Sequence, residues 1–285
     1  MKALTTCIVA ALVLVCGCAS ICQAHSDKTA YAIPLTGIAI DGKLDDWPEK
    51  MAAYPIEWVS PAYNNPEPPD GPEDLTASFR AGYDLKANLL YLAVVVRDEE
   101  VVVHPEAPGK GNQDICGIYV DADHSGGERV DAIGAQMYFM VPGPQQANPT
   151  GENPALVRGN TRESGVRGAF LHENQYIVYE WAIPLFEQLP DRRLQIEPGK
   201  TAGLDLVVGD ADGEEANNLV FWASEDRKSR SSDLLGDLVF VQDYEGLDIA
   251  LESLPPEVGG PDLPVWPFIA GLGVLAVLVV FWFRR

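Results

Sequence analysis

The segment NLLYLAVVVRD, residues 88–98, limits what this chain can become. It is apolar at both odd and even positions, so both sides of it need cover. At this length it suits a central strand lying under other layers rather than a one-sided surface strand. Just before it, LTASFRAGYD (75–84) alternates, with Leu75, Ala77, Phe79 and Ala81 on one face. Tyr83-Asp84 through Asn88 reads as the hairpin connection between the two. Similar segments follow at 114–123, 135–142, 175–184, 201–210 and 234–241, separated by Gly, Pro and Asp. Helical periodicity is weak, with PLFEQL (184–189) the one candidate for a short helical turn. Many short strands with regular turn signals predict an all-β chain, an antiparallel β-sandwich of immunoglobulin or jelly-roll type.

Both ends of the 285-residue sequence read as addressing segments and stand apart from this domain. Residues 1–24 have Lys2, an apolar stretch without carboxylates, and the small residues Cys22 and Ala24 before a cut after Ala24, the layout of a secretory signal peptide. Val15-Cys16-Gly17-Cys18 is a loose lipoprotein-processing alternative. Val265 to Phe283 carries no charge. As a helix rising ~1.5 Å per residue it would reach about 28 Å, enough for a bilayer core. Trp266 and Trp282 stand near its ends, and Arg284-Arg285 would keep the C-terminus in the cytoplasm. The same pattern suits a removable sorting tail. The expectation is a domain at 25–242, a Pro/Gly-rich acidic stalk at 243–264, a transmembrane helix at 265–283 and a basic end at 284–285. The domain would then face the periplasm or the cell surface, with the lipid bilayer as a partner through 265–283.

Of the 20 basic residues, Lys2, Arg284 and Arg285 lie in these ends, which leaves 17 against 42 acidic ones. Nucleic acid is excluded as a partner, because its phosphates would be repelled. Four of the five cysteines fall in the signal. Cys116 alone remains, so neither an intrachain disulfide nor a cysteine zinc site is available. Asp121 and Asp123 in VDADHSGGE, and Asp210 and Asp212 in GDADGEEANN, close predicted strands with a spacing of two. Acidic turns have this form, and so do oxygen-ligated Ca²⁺ sites, making these four the candidate calcium ligands. No nucleophile elbow, phosphate loop or His-Glu-x-x-His motif is present, which argues against an enzyme.

Read in order, IAIDGKLDDWP (38–48), Tyr83-Asp84, NLLYLAVVVRD, QDICGIYVDAD, Ala135-Gln136, YEWAIPL, PGKTAGLDLVVGDAD, VFWAS and LLGDLVFV resemble family 9 carbohydrate-binding modules over nearly all of 33–241. The resemblance implies a β-sandwich that binds polysaccharide or oligosaccharide, often beside polysaccharide-degrading enzymes. Such modules clamp a sugar between two tryptophans, whose places here fall near Gly111 and Ser229 without an aromatic. The glutamate of the family's Asp-x-x-Glu strand motif is Gly117, and the arginine expected after Ala-Gln is replaced near Tyr138. Trp58, with Tyr63 nearby, is the loop-borne aromatic pair left to stack on a sugar. Trp47 and Trp222 read as core. The expected function is an exported, membrane-tethered, non-catalytic carbohydrate-binding domain. Two alternatives remain open. One is a structural or protein-interaction ectodomain that has lost the sugar site. The other is a haem-binding module of the related DOMON-like group, with Met137, Met140, His104 or His172 as ligands.

Overall fold

The computed structural model describes residue 26 and residues 28–61, 69–104, 107, 111–127, 135–142, 156–159, 161–212, 218–223 and 230–243. The signal segment, the sorting or membrane tail and Tyr63 therefore lie outside the described residues. Among the described residues no helix is long and apolar enough to cross a membrane.

The strands are β1 (Thr29–Pro34), β2 (Tyr54–Ile56), β3 (Trp58–Val59), β4 (Leu75–Asp84) and β5 (Leu89–Asp98). Next come β6 (Ile115–Asp121), β7 (Ala135–Met140), β8 (Leu156–Gly159), β9 (Arg167–Glu173) and β10 (Tyr176–Ile183). The chain continues through β11 (Phe186–Gln188), β12 (Arg192–Arg193), β13 (Thr201–Asp210), β14 (Asn218–Phe221) and β15 (Gly236–Phe240). Helical structure among the described residues amounts to one turn at Thr161–Ser164 and a 3-10 turn at Ser232–Leu234.

Two sheets form the body. The first runs β8-β7-β6-β13-β15, with β14 and then β3 added alongside β13; the second runs β4-β5-β10-β9, with β2 against β4. β1 belongs to both: Thr29 to Ala32 pair with Asp237 to Phe240 of β15, and Ile33 and Pro34 pair with Gly82 and Tyr83 of β4. Both pairings are parallel, a departure from the all-antiparallel expectation. The reason lies in the connection. After β1 the chain takes a long path over the outside of the second sheet before β2, and parallel pairing requires such a crossover rather than a hairpin.

The alternation of the sequence appears directly as layers. Ala77, Phe79, Ala81 and Tyr83 of β4 and Leu90, Leu92, Val94 and Val96 of β5 join the core between the sheets. There they meet Cys116, Ile118, Val120, Leu204, Leu206 and Val208 of the first sheet. Phe79 meets Trp222 edge-on at 5.1 Å, and Tyr83 meets Phe240 at 5.5 Å. These contacts between rings tie the two sheets together. Burying one such large apolar side chain contributes about 1.5–3 kcal/mol. Cys116 is fully buried, and burial pushes its thiol pKa far up, so it acts as a small apolar residue.

The other face of β5 is covered too, which explains why its sequence is apolar throughout. Tyr91 and Ala93 pack with Ala169 and Ala182 beneath Ile33, Leu35, Ile38, Ile40, Trp47 and Met51. Residues 84–88 form the expected hairpin turn. The Asp84 Oδ1 accepts the backbone N–H groups of Lys86 and Ala87, and Asn88 takes a φ of 56°. PLFEQL is extended rather than helical, with Phe186–Gln188 pairing with Arg192–Arg193.

Candidate functional site

At one end of the sandwich, strand ends from both sheets bring aspartates together. Asp74 precedes β4, Asp98 closes β5 opposite Leu75, Asp114 precedes β6, Asp210 closes β13 and Asp212 follows it. One carboxylate oxygen from each of Asp98, Asp114 and Asp210 lies within 4.8 Å of the others, and the same holds for Asp74, Asp210 and Asp212. Asp210 belongs to both groups. It is 1% exposed, and the Asn218 side chain is its hydrogen-bonding neighbour. The buried Asp74 Oδ1 has no hydrogen-bond partner.

Asp98 and Asp114 are 2% exposed but are partly satisfied by backbone. Asp98 Oδ1 accepts Glu100 N–H at 2.9 Å; Asp114 accepts Val102 N–H at 2.6 Å and Ala211 N–H at 2.9 Å. Burial, reinforced by the neighbouring Asp210 charge, pushes the Asp98 pKa up to about 7. Burial and Asp98 push Asp114 to about 9, and burial with Asp212 and Asp74 pushes Asp210 to about 7. Charge of one sign, buried and crowded, resists ionisation unless something positive joins it.

The two sequence-predicted aspartate pairs do not meet. Asp121 stands opposite Gly203 in the β6–β13 ladder, whereas Ile115 stands opposite Gly209. Asp121 and Asp210 thus mark opposite ends of the same strand pair, about 24 Å apart at ~3.4 Å per residue. Asp121 Oδ2 accepts Gly126 N–H at 2.8 Å and Asp123 Oδ1 accepts Ser125 N–H at 3.3 Å, which builds a turn. Asp74, Asp98 and Asp114 were not singled out from sequence. Their signal is that each sits at a strand end that an antiparallel register delivers to the Asp210 end.

The outer face of the first sheet carries aromatics. Tyr119, Phe139, Val207, Phe221 and Leu235 pack there, with the half-buried Trp58, Ile115, Met137 and Leu219 against them. Trp58 lies across from Phe221, ring centroids 6.1 Å apart. A Cβ on Gly117 would come within 2.5 Å of the Phe139 ring and 2.6 Å of Val207. The place where the resemblance expects a glutamate is therefore filled by an aromatic ring. Gly111, at one expected clamp position, is exposed with open space around it; Ser229 lies outside the described residues. Alternation along β3 puts Trp58 on the opposite side from Glu57 and Val59. Those two line an apolar groove of about 250 Å³ with Pro55, Ile56, Leu75 and Val220.

Met140 lies in the core and Met137 on the outer face of the same strand. His172 sits on β9, at the edge of the second sheet.

No family model matches the chain, and no curated protein matches it. Solved structures do. A family 9 carbohydrate-binding module from Caldicellulosiruptor kristjanssonii, in complex with cellotriose, superposes with a TM-score of 0.55 at 15% identity, over 81% of this chain and 100% of that one. The glucose complex of a family 9 module from the same organism gives 0.55 and 15%, over 78% and 100%.

The chain has the family 9 carbohydrate-binding module fold. At this identity the likeness concerns the sandwich, which was also the expectation from the ordered sequence motifs. Within that fold the aromatic that sequence reasoning singled out, Trp58, lies on the outer face of the first sheet. The aspartate cluster is at the sheet end where β5 and β13 terminate.

Proposed function

We propose that the chain is a non-catalytic carbohydrate-binding domain, exported and held at a membrane by residues 265–283, with Trp58 as its sugar-stacking residue. What supports this most is the fold, whose solved examples include a complex with cellotriose and another with glucose. Trp58 supports the site assignment because it is half-buried and braced by Phe221. A ring held in that way keeps one surface for a sugar's apolar face.

The test uses the full-length chain in non-ionic detergent, screened on a glycan array and titrated with cellotriose and glucose. Saturable binding is expected. Trp58→Ala should weaken it about threefold to tenfold, equivalent to one aromatic stacking contact. Glu57→Ala, on the groove side of β3, should leave it unchanged. The reverse pattern would move the sugar to the groove, and no binding to any glycan would end the carbohydrate reading.

A second reading has its own support. The Phe139 ring occupies the place of the family's glutamate, and Gly111 offers no aromatic for a clamp. An ectodomain that kept the sandwich and serves protein contacts fits those two observations, and a blank glycan screen would favour it.

A further inference from the structure

We infer that the flank between β3 and the start of β4 is a docking groove for an extended segment of a partner protein, one in which apolar and basic side chains alternate. The groove forms where the chain changes sheets. β2 pairs with β4 of the second sheet, β3 pairs with β14 of the first, and only Glu57 separates them. The last residue of β2, Ile56, pairs with Ala77, so Leu75 and Thr76 of β4 lie beyond its reach. Val59, Leu75 and Val220 line the resulting opening of about 250 Å³ together with Pro55, Ile56 and Ala77. Ile56, Ala77 and Val220 belong to the core between the sheets, and Val59 and Leu75 pack against it. The floor of the groove is therefore the side of the core itself.

Backbone and charge select the occupant. Ser60 N–H donates to Leu219 O at 2.9 Å, which makes these two a hydrogen-bonded pair at the end of the β3–β14 ladder. One step back, Val59 and Val220 form the alternate kind of pair, so the Val59 N–H and C=O point away from β14. β3 has no second neighbouring strand among the described residues. An extended chain added there gains main-chain bonds to Val59 and sets every other side chain into the apolar groove. β2 offers less, because Pro55 at its middle has no N–H. At the rim, Glu57 and Asp70 are exposed, and Lys28 meets Glu57 only as a surface pair at 3.5 Å. The acidic excess of the domain would repel a second copy, whereas lysine or arginine on the outward positions of a partner segment would meet opposite charge. A sugar fits poorly: no aromatic ring lines the groove among the described residues, and Thr76 Oγ1 already donates to Pro72 O at 2.8 Å.

Val59 packs toward the core between the sheets, and Trp58 packs on the outer face of the first sheet. A segment on Val59 and a sugar on Trp58 would therefore occupy opposite faces of one strand. The groove's assignment stands whether or not the chain binds sugar.

The probe is a capped, strand-length peptide of alternating valine and lysine, titrated by calorimetry into the full-length chain in non-ionic detergent. Saturable binding is expected, at least about tenfold tighter than for the same peptide with glutamate in place of lysine. The N-methylated form of the peptide should bind at least about tenfold more weakly, because it cannot complete a ladder with Val59. Val59→Pro removes the outward N–H without taking a bond from the β3–β14 ladder, and should weaken binding about tenfold. Glu57→Lys, at an exposed position, should weaken it about threefold, which keeps the test informative if Val59→Pro does not fold. Absence of saturable binding up to about 1 mM would overturn the inference. So would equal binding of the N-methylated peptide, which would reduce the contact to charge alone. Displacement of the peptide by cellotriose would overturn it as well, by giving the groove to a sugar.

Discussion

Glu180 holds Trp47 across the outside of the second sheet: the indole Nε1–H donates to Glu180 Oε1 at 2.6 Å. The other oxygen, Oε2, accepts the backbone N–H groups of Asp41, Gly42 and Lys43 at 2.9, 2.6 and 3.2 Å. One fully buried carboxylate on β10 thus binds the whole IDGKLDDW turn. Gly42 is required there. Its φ is +84°, and a Cβ would come within 2.5 Å of the Leu171 backbone. Two motifs far apart in sequence are one hydrogen-bonded unit. Glu180→Gln would turn an amide N–H toward these donors, and about 1–3 kcal/mol of stability should be lost. Urea unfolding of the variant checks this; an unchanged midpoint would mean the turn is held by its apolar contacts alone.

Stability should depend on pH in a definite direction. Asp98 and Asp210 are pushed up to about 7 and Asp114 to about 9 in the folded chain, against an ordinary value near 4. Between those limits the folded chain holds protons that the unfolded chain has released. Stability is therefore fully present below about pH 4, declines as pH rises, and levels off after about 7 to 9. Urea midpoints between pH 4 and 9.5 should show the decline, and Asp210→Asn should make it shallower. A midpoint that rises across this range would contradict the buried-carboxylate account.

Gly117 and Phe139 should be energetically coupled. Gly117→Ala pushes a methyl group into the Phe139 ring and Val207, an overpacking cost of about 1–3 kcal/mol. With Phe139→Ala in the background, the same substitution should cost much less, and a double-mutant cycle in urea measures the difference. Additive losses would show that the ring does not occupy the glycine's space.

Trp222 and Trp58 should respond differently to truncation. Trp222 is buried, edge-on to Phe79, and its ring would be within 2.5 Å of a Cβ on Gly236. Trp222→Ala should cost about 3–5 kcal/mol. Trp58 is half-buried on the outer face, so Trp58→Ala should cost clearly less by the same assay.

Membrane attachment has a direct check. Leu275→Asp with Leu278→Asp places two charges in the apolar run, each opposing insertion by about 2.5–3.5 kcal/mol. The variant should leave the membrane fraction on cell lysis, and retention there would argue against a span at 265–283.

Where strand patterns are local, sequence reading placed them well. β4 and β13 coincide with the segments read from alternation, and β5, β6, β7, β10 and β15 differ by one or two residues at their ends. Trp47, Trp222 and Cys116 are core, as their settings suggested. The short strands β2, β3 and β14 and the edge strand β9, with its mixed burial, carry too little periodicity to declare themselves. The aspartate cluster was hidden for a different reason. Spacing of two along the chain groups Asp121 with Asp123, but proximity in a sandwich is set by register between strands, and register is not local. Reading strand ends against one another would have brought Asp98, Asp114 and Asp210 together.

β1 pairs with β15 through its first four residues and with β4 through its last two. The first strand of the domain therefore waits for the last. A ribosome that has released everything up to β14 still holds a chain whose seam is open, because the partner of Thr29 to Ala32 has not yet been made. Contacts of such long range are slow to close and keep the nascent chain loosely ordered. The sandwich therefore locks only after synthesis has passed Phe240, and on the proposed export route that delay would keep the chain open for translocation.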